Sequence, residues 1–291
     1  MAQRLCILTV HAHPDDESSK GPGTIARYAA EGVRTVLVCC TGGEAGEILN
    51  PAADTEEART DLPAVREREL DAAVAVIGYH ALYKLGYRDS GMPGTEANAH
   101  PDSFARADLD EATGRLVRIV RAERPQVLVI YPSTDGRGHP DHIRVHEVGA
   151  LAFERAGDPT WYPDAGAPWE PAKLYYTGVF SPGRMRVQHD WMLAQGEESP
   201  WNERVRELMD QPDRTTARVD VGDYLDVGRA ALRAHATQVP TTGPWFRVPV
   251  EVMRELYPWE DYELARSRVD VPIDEIEDDL FAGLRAPVAP G

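Results

Sequence analysis

The chain has 291 residues, with 31 Lys+Arg against 48 Asp+Glu and a formal net charge of −17. At roughly 150 residues per domain, that length means one large domain or two small ones, able to bury a core without crosslinks. A surface this acidic argues against a nucleic-acid-binding face and against docking on anionic lipid, though not against a locally positive pocket. Met1–Val10 has no long apolar leader and no small-residue cleavage site, and no stretch approaches the ~18 apolar residues of a membrane span. The expectation is a soluble cytoplasmic protein. Leu5–Val10 is a short β-prone run, and Thr24–Glu31 is helical in composition with Gly32 to end it. Thr35–Cys40 is a nearly continuous apolar run, as in a strand buried on both faces. Cys6, Cys39 and Cys40 all lie in such runs, too few for a disulfide scaffold. Ala64–Ile77 repeats apolar residues at helical spacing and stops at Gly78. Ala81–Leu85 reads as a third strand, Leu109–Arg121 as an amphipathic helix, and Val127–Tyr131 as the next strand. Strands separated by helices imply βαβ units, hence an α/β fold with a mostly parallel sheet flanked by helices.

The second half is less regular. Asp158–Pro171, rich in Pro, Gly and aromatics, reads as an ordered loop. Leu174–Phe180 and Ala217–Val221 read as strands, and Tyr224–Thr237 as a helix. Asp270–Asp279 holds six acids and no base, and reads as either a solvated helix or a mobile tail. With no repeat and no long linker, the expected organisation is a core over residues 1–182, with a smaller portion over 183–291 that closes over the site.

Five of the nine histidines fall in two clusters. His11-Ala12-His13-Pro14-Asp15-Asp16-Glu17 directly follows the first strand, and His139-Pro140-Asp141-His142-Ile143-Arg144-Val145-His146 follows Val127–Tyr131. Both lie beyond the C-terminal ends of predicted parallel strands, where open α/β sheets bind ligands. Imidazole and carboxylate suit Zn²⁺, and a catalytic zinc takes three protein ligands plus a water. His13, Asp16 and His142 can supply three. Asp15 is then placed to accept a proton from the attacking water, and His139 to stabilise the substrate oxygen or protonate a leaving amine. Asp141 can orient an imidazole, or simply cap the helix that follows. In an extended segment His11 alternates with His13 and points away from it. His146, four residues after His142, is the weaker candidate.

At these residues the chain resembles the LmbE-like, or N-acetylglucosaminyl-phosphatidylinositol de-N-acetylase, family. The resemblance rests on Ala12–Glu17 (AHPDDE) taken with His139–His142 (HPDH). The family implies a Rossmann-like fold and metal-dependent amide hydrolysis, mostly of N-acylated glucosamine. Within it the chain is similar to the mycothiol S-conjugate amidases. The matching segments are His11–Gly21, Thr41–Glu44, Gly46–Pro51, Asp89–Pro93, Pro163–Gly166, Lys173–Tyr176, Leu232–Gln238 and Glu263–Arg268. The resemblance implies His13, Asp16 and His142 as metal ligands, Asp15 as general base, His139 as the electrostatic or acid partner and Asp141 as the group orienting a histidine. It adds Arg66 and Asp89 at positions that hold sugar or inositol hydroxyls. It also adds Lys20, at a position associated with the cysteinyl conjugate. Taken alone, these three read as a helix-face arginine, a turn aspartate and a solvent lysine. One departure stands out: Arg137 occupies a position where relatives carry a tyrosine. A cation there stabilises a developing oxyanion or reaches an anionic group of the substrate.

The implied reaction is hydrolysis of the amide joining N-acetylcysteine to glucosaminyl-inositol in a mycothiol S-conjugate, in detoxification or natural-product tailoring. The substrate would be a small-molecule thiol conjugate or aminosugar, with zinc as cofactor; ferrous iron also accepts a His₂Asp site. A sister reading is deacetylation of N-acetylglucosaminyl-inositol or another N-acetyl-aminosugar. A third, of another class, is a non-catalytic sugar-binding module, against which the intact Asp15/His139 pair argues. The oligomeric state stays open.

Overall fold

The computed structural model describes residues 4–133, 138–178, 181–209, 212–271 and 275–285. Seven strands form one sheet: β1 (Cys6–His11), β2 (Arg34–Thr41), β3 (Ala81–Tyr87), β4 (Val127–Ile130), β5 (Lys173–Thr177), β6 (Ala217–Asp220) and β7 (Trp259–Ser267). Their order is β3-β2-β1-β4-β5-β7-β6. The first five run parallel, while β7 is antiparallel to both β5 and β6. This is the α/β architecture expected from alternating strands and helices.

The central strands follow from their apolar runs. Every residue of β1 and β4 is buried, as strands covered on both faces require. Side chains alternate between two core layers. Ile7 packs in one layer with Ile25, Tyr28, Val129 and Tyr175. Leu8 and Val10 pack in the other with Leu116, Val120, Val145 and Val148. Helix Leu62–Ile77 starts where the Asp61 side chain accepts from Ala64 N at 3.2 Å, and ends at Gly78. The loop after residue 156 is ordered, as expected. Buried Arg121 pins it by donating to the carbonyls of Asp158 (2.9 Å), Trp161 (2.8 Å) and Tyr162 (2.7 Å).

Three features depart from expectation. Strand β7 was not anticipated, because its charged residues mask the alternation. Helices Pro182–Ala194, Asn202–Met209 and Val250–Leu256 were not anticipated either. The described part of the acidic stretch is neither a solvated helix nor a mobile tail. Glu277 is buried, its carboxylate pairs with Lys173 Nζ at 2.5 Å, and its carbonyl accepts from Arg218 N at 2.7 Å. Burying an acid beside a lysine outweighs the stretch's uniform negative charge.

The sheet order also fixes where a site can form. From β1 the chain moves outward through β2 and β3, then returns to lay β4 against the other side of β1. That reversal opens a crevice beyond the C-terminal ends of β1 and β4, from which both histidine clusters emerge. No helix among the described residues is long and apolar enough to cross a membrane.

Candidate active site

Beyond β1 the chain turns across the end of the sheet through Asp15, whose φ of 111° is unusual for a residue with a Cβ. Side chains hold this turn: Asp15 N donates to Glu17 Oε2 and His13 N to Asp16 Oδ2, each at 3.0 Å. Beyond β4, helix Pro140–Arg155 begins at His139, whose Nδ1 accepts from Asp141 N at 3.2 Å. His139, not Asp141, is therefore the cap. Asp141 and His142 sit in the first turn, both buried. Gly149 lets this helix press onto β4, since a Cβ there would lie 2.7 Å from Ile130 Cγ2.

The two clusters meet around His13. Asp16 Oδ2 lies 3.5 Å from His13 Nδ1 and 3.4 Å from His142 Nε2. Ligand atoms ~2.1 Å from a tetrahedral ion would be roughly 3.4 Å apart, so these contacts have the spacing of a shared cation. The other edge of His13 faces different carboxylates: Nε2 is 3.1 Å from Asp141 Oδ2 and 3.4 Å from Asp89 Oδ1. Two groups have ligand atoms that all lie within 4.8 Å of one another: His13, His139 and His142, and His13, Asp89, His139 and Asp141. The first draws on His139 in place of Asp16. We favour Asp16, because a metal-bound imidazole usually donates its other N–H to a carboxylate, and Asp141 is placed to receive it from Nε2. Asp141 is itself held by Ser90, whose backbone N donates at 2.9 Å and whose hydroxyl donates to the other oxygen.

The electrostatics fit a cation site. Burial opposes protonation of His13, but hydrogen bonds to Asp141, Asp16 and Asp89 prevail and hold its pKa well above the usual imidazole value. Burial raises the Asp16 pKa, yet Lys20, His142 and His13 pull it well below the usual carboxylate value. Burial, then the charge of His13, lowers His139 to about 4. Asp16, Asp89 and Asp141 thus crowd one imidazole, with Lys20 ion-paired to Asp16. Such a cluster holds either a proton on His13 or a divalent cation.

A cavity of about 390 Å³ opens onto this cluster. His13, Asp15, Asp16, Lys20, His139 and His142 form its polar side, and Met92, Trp201, Leu232, Val239 and Trp245 its apolar side. Asp15 is the partly exposed acid of the group. Desolvation raises its pKa, Arg66 opposes the rise and the Asp16 charge adds to it. Arg66 is not a solvated helix-face residue. It is buried and donates to Pro14 O (2.6 Å), Gly43 O (2.7 Å) and Asp15 Oδ2 (3.0 Å). A Cβ at Gly43 or Gly46 would collide with its guanidinium. Asp89, also buried, accepts from Gly91 N at 2.8 Å and faces His13 rather than the open cavity. Lys20 is buried too, against the reading of a solvent lysine. Arg137 lies outside the described residues. His11 faces away from the cavity toward Tyr131 Oη at 2.9 Å, and burial lowers its pKa to about 4. His146 Nδ1 lies 3.0 Å from Tyr131 O, outside the cavity lining.

Sequence reasoning missed several residues. Tyr131 lines the cavity, and its hydroxyl accepts from Ala12 N at 3.2 Å. Its place directly after a strand that leads to the second cluster was a usable signal. Glu17 accepts from the Asp15 amide and is held from behind by His235 Nε2 at 2.7 Å. In the sequence His235 stands out only as part of the segment Leu232–Gln238. Nothing in the local sequence marks Trp201 or Trp245 as cavity walls.

Comparison with known proteins agrees with this geometry. Residues 8–153 match the family model described as PIG-L: GlcNAc-PI de-N-acetylase. The chain is 42% identical over 293 residues to a mycothiol S-conjugate amidase of Streptomyces coelicolor, covering 98% of this chain and 99% of the relative. It is 44% identical over 288 residues to a 1D-myo-inositol 2-acetamido-2-deoxy-alpha-D-glucopyranoside deacetylase of Streptomyces avermitilis, covering 96% and 97%. Among solved structures, the N,N'-diacetylchitobiose deacetylase of Pyrococcus horikoshii superposes with a TM-score of 0.61 at 18% identity, covering 89% of this chain and 83% of that one.

Proposed function

Because the chain belongs to the GlcNAc-PI de-N-acetylase family, we propose that it hydrolyses the amide between the N-acylcysteinyl group and glucosamine in mycothiol S-conjugates. It is a hydrolase of linear C–N bonds, as its amidase and deacetylase relatives are. The observation that carries the reading is the meeting of His13, Asp16 and His142 at one switch point, with Asp15 and His139 beside them on the cavity wall.

In this reading His13, Asp16 and His142 hold a divalent cation, with zinc the favoured ion and ferrous iron compatible. When bound, it supplies a Lewis acid that polarises the amide carbonyl and makes water a nucleophile near neutral pH. Asp15 accepts the proton of the attacking water, and Arg66 fixes its carboxylate. His139, neutral because burial depresses its pKa, hydrogen-bonds the developing oxyanion, and the proton taken up by Asp15 passes to the departing amine as the C–N bond breaks. Asp141 fixes His13 through Nε2. Lys20, on the cavity wall, and Arg137 are the proposed substrate-contacting residues, while Arg66 and Asp89, buried behind the cluster, act through Asp15 and His13. Residues 183–291 supply Trp201, Leu232, Val239 and Trp245 to cover the substrate.

The apolar wall favours the amidase over the deacetylase, since an acetyl methyl needs far less apolar surface. The identity of 44% to a deacetylase keeps that second reading in play. One metal-loaded preparation, offered a mycothiol S-conjugate and N-acetylglucosaminyl-inositol with products read by mass spectrometry, decides between them. The conjugate is expected to give the higher kcat/KM; a higher value for the acetylated sugar makes the protein a deacetylase.

A further inference from the structure

A second chamber, of about 50 Å³, adjoins the catalytic cavity and shares Ser19, Trp201, Leu232 and Trp245 with it. Its wall carries Arg184 and Gln188 from helix Pro182–Ala194, and Arg229 from helix Leu225–Ala234. Among the described residues neither arginine is ion-paired. Arg229 donates to Val248 O, and among the described residues the Arg184 guanidinium has no hydrogen-bond partner. Both line the same chamber; burial, then the charges of Arg233 and Arg184, pushes the Arg229 pKa down against the opposing charges of Asp226 and Glu251. One carboxylate lines the chamber, that of Glu260, and it is already engaged. It accepts from Gly23 N (3.0 Å), Thr24 N (2.8 Å) and Thr24 Oγ1 (2.7 Å) at the start of helix Pro22–Ala30.

Two partly buried guanidinium groups with no ion-pair partner among the described residues, in a chain of net charge −17, call for an anion. The chamber has room for a small terminal group rather than a sugar. It meets the catalytic cavity at Ser19, which neighbours Lys20, and at Trp201 and Trp245. We propose that Arg184 and Arg229 receive a carboxylate at the end of the sulfur-linked arm of the substrate, so that the enzyme prefers conjugates whose arm is anionic. The inference rests on the amidase reading and assigns its acyl-side specificity. The aromatic wall suits an arm with a flat ring between sulfur and carboxylate.

The test compares two S-conjugates of one shape, 4-carboxybenzyl and 4-carbamoylbenzyl. Wild type is expected to favour the carboxylate in kcat/KM by about tenfold or more, as charge-assisted bonds to arginine do. Arg184→Gln should bring that ratio to about one, with the carbamoyl conjugate and metal content unaffected. Arg229→Gln, which also loses the bond to Val248, should lower the ratio in the same direction. Equal rates for the two conjugates in wild type, or an unchanged ratio in Arg184→Gln, overturn the anion seat and leave the amidase intact. Failure to cleave either conjugate, with the acetylated sugar cleaved, overturns the amidase reading and this inference together.

Discussion

Two buried charge clusters in this molecule use the same kinds of group and differ in balance. On the flank, Lys173 Nζ pairs with one oxygen of Glu277 at 2.5 Å, while the Tyr175 hydroxyl donates to the other. One cation meets one anion, and the polar atoms find partners. At the ends of β1 and β4, Asp16, Asp89 and Asp141 surround His13, and among the described residues Lys20 is the fixed cation paired to these three acids, Arg66 being paired to Asp15. A buried pair roughly balances its desolvation when complete and is costly when broken. The flank cluster is therefore a tie that joins the C-terminal segment to the sheet. The crevice cluster has surplus negative charge, which suits a site that takes up an ion.

The contrast can be broken by experiment, beginning with the largest effect. Asp15→Asn should lower turnover by about 10²–10⁴-fold while the protein keeps its metal, with at most a modest fall in thermal midpoint from the lost ion pair to Arg66. Asparagine suits the positive φ at this position, so a folding defect would speak against the assignment. Lys173→Met should do the reverse. It leaves Glu277 buried and unpaired, and should cost about 3–5 kcal/mol in denaturant unfolding with kcat per folded molecule unchanged. A large loss of kcat there would show that the flank is not merely a tie. Gly149→Ala should cost about 1–3 kcal/mol by overpacking Ile130, and should weaken metal affinity by shifting His142. Normal affinity in a competition titration would show that the helix absorbs the methyl group. His235→Gln removes the group behind Glu17, and should cut kcat by about two- to tenfold with KM and metal content unchanged. A rise in KM alone would place His235 on the substrate path.

What the sequence revealed follows the same division. β1 and β4 were legible because both faces are covered and their apolar runs are nearly unbroken. β7 was not, because Glu260, Asp261 and Glu263 interrupt it, and only pairing with β5 and β6 makes it a strand. Helix Pro182–Ala194 scatters its apolar residues, so no face announces it. The His/Asp motifs were legible because ligand chemistry demands particular residue types at short spacing. The packing partners were not. Ser90 behind Asp141, His235 behind Glu17 and the tryptophan wall come from loops brought in by tertiary contacts. The acidic stretch misled because composition says nothing about Lys173, 104 positions away from Glu277.

Binding of a divalent cation through His13 at the crevice cluster, and not at the flank, is what the proposed function requires. It is tested most directly by metal stoichiometry, with elemental analysis of chelator-stripped protein after reloading and desalting. Wild type, Asp15→Asn and Lys173→Met should each retain one ion per chain, and His13→Ala none. Equal retention by His13→Ala and wild type, or equal loss from His13→Ala and Asp15→Asn, would contradict it.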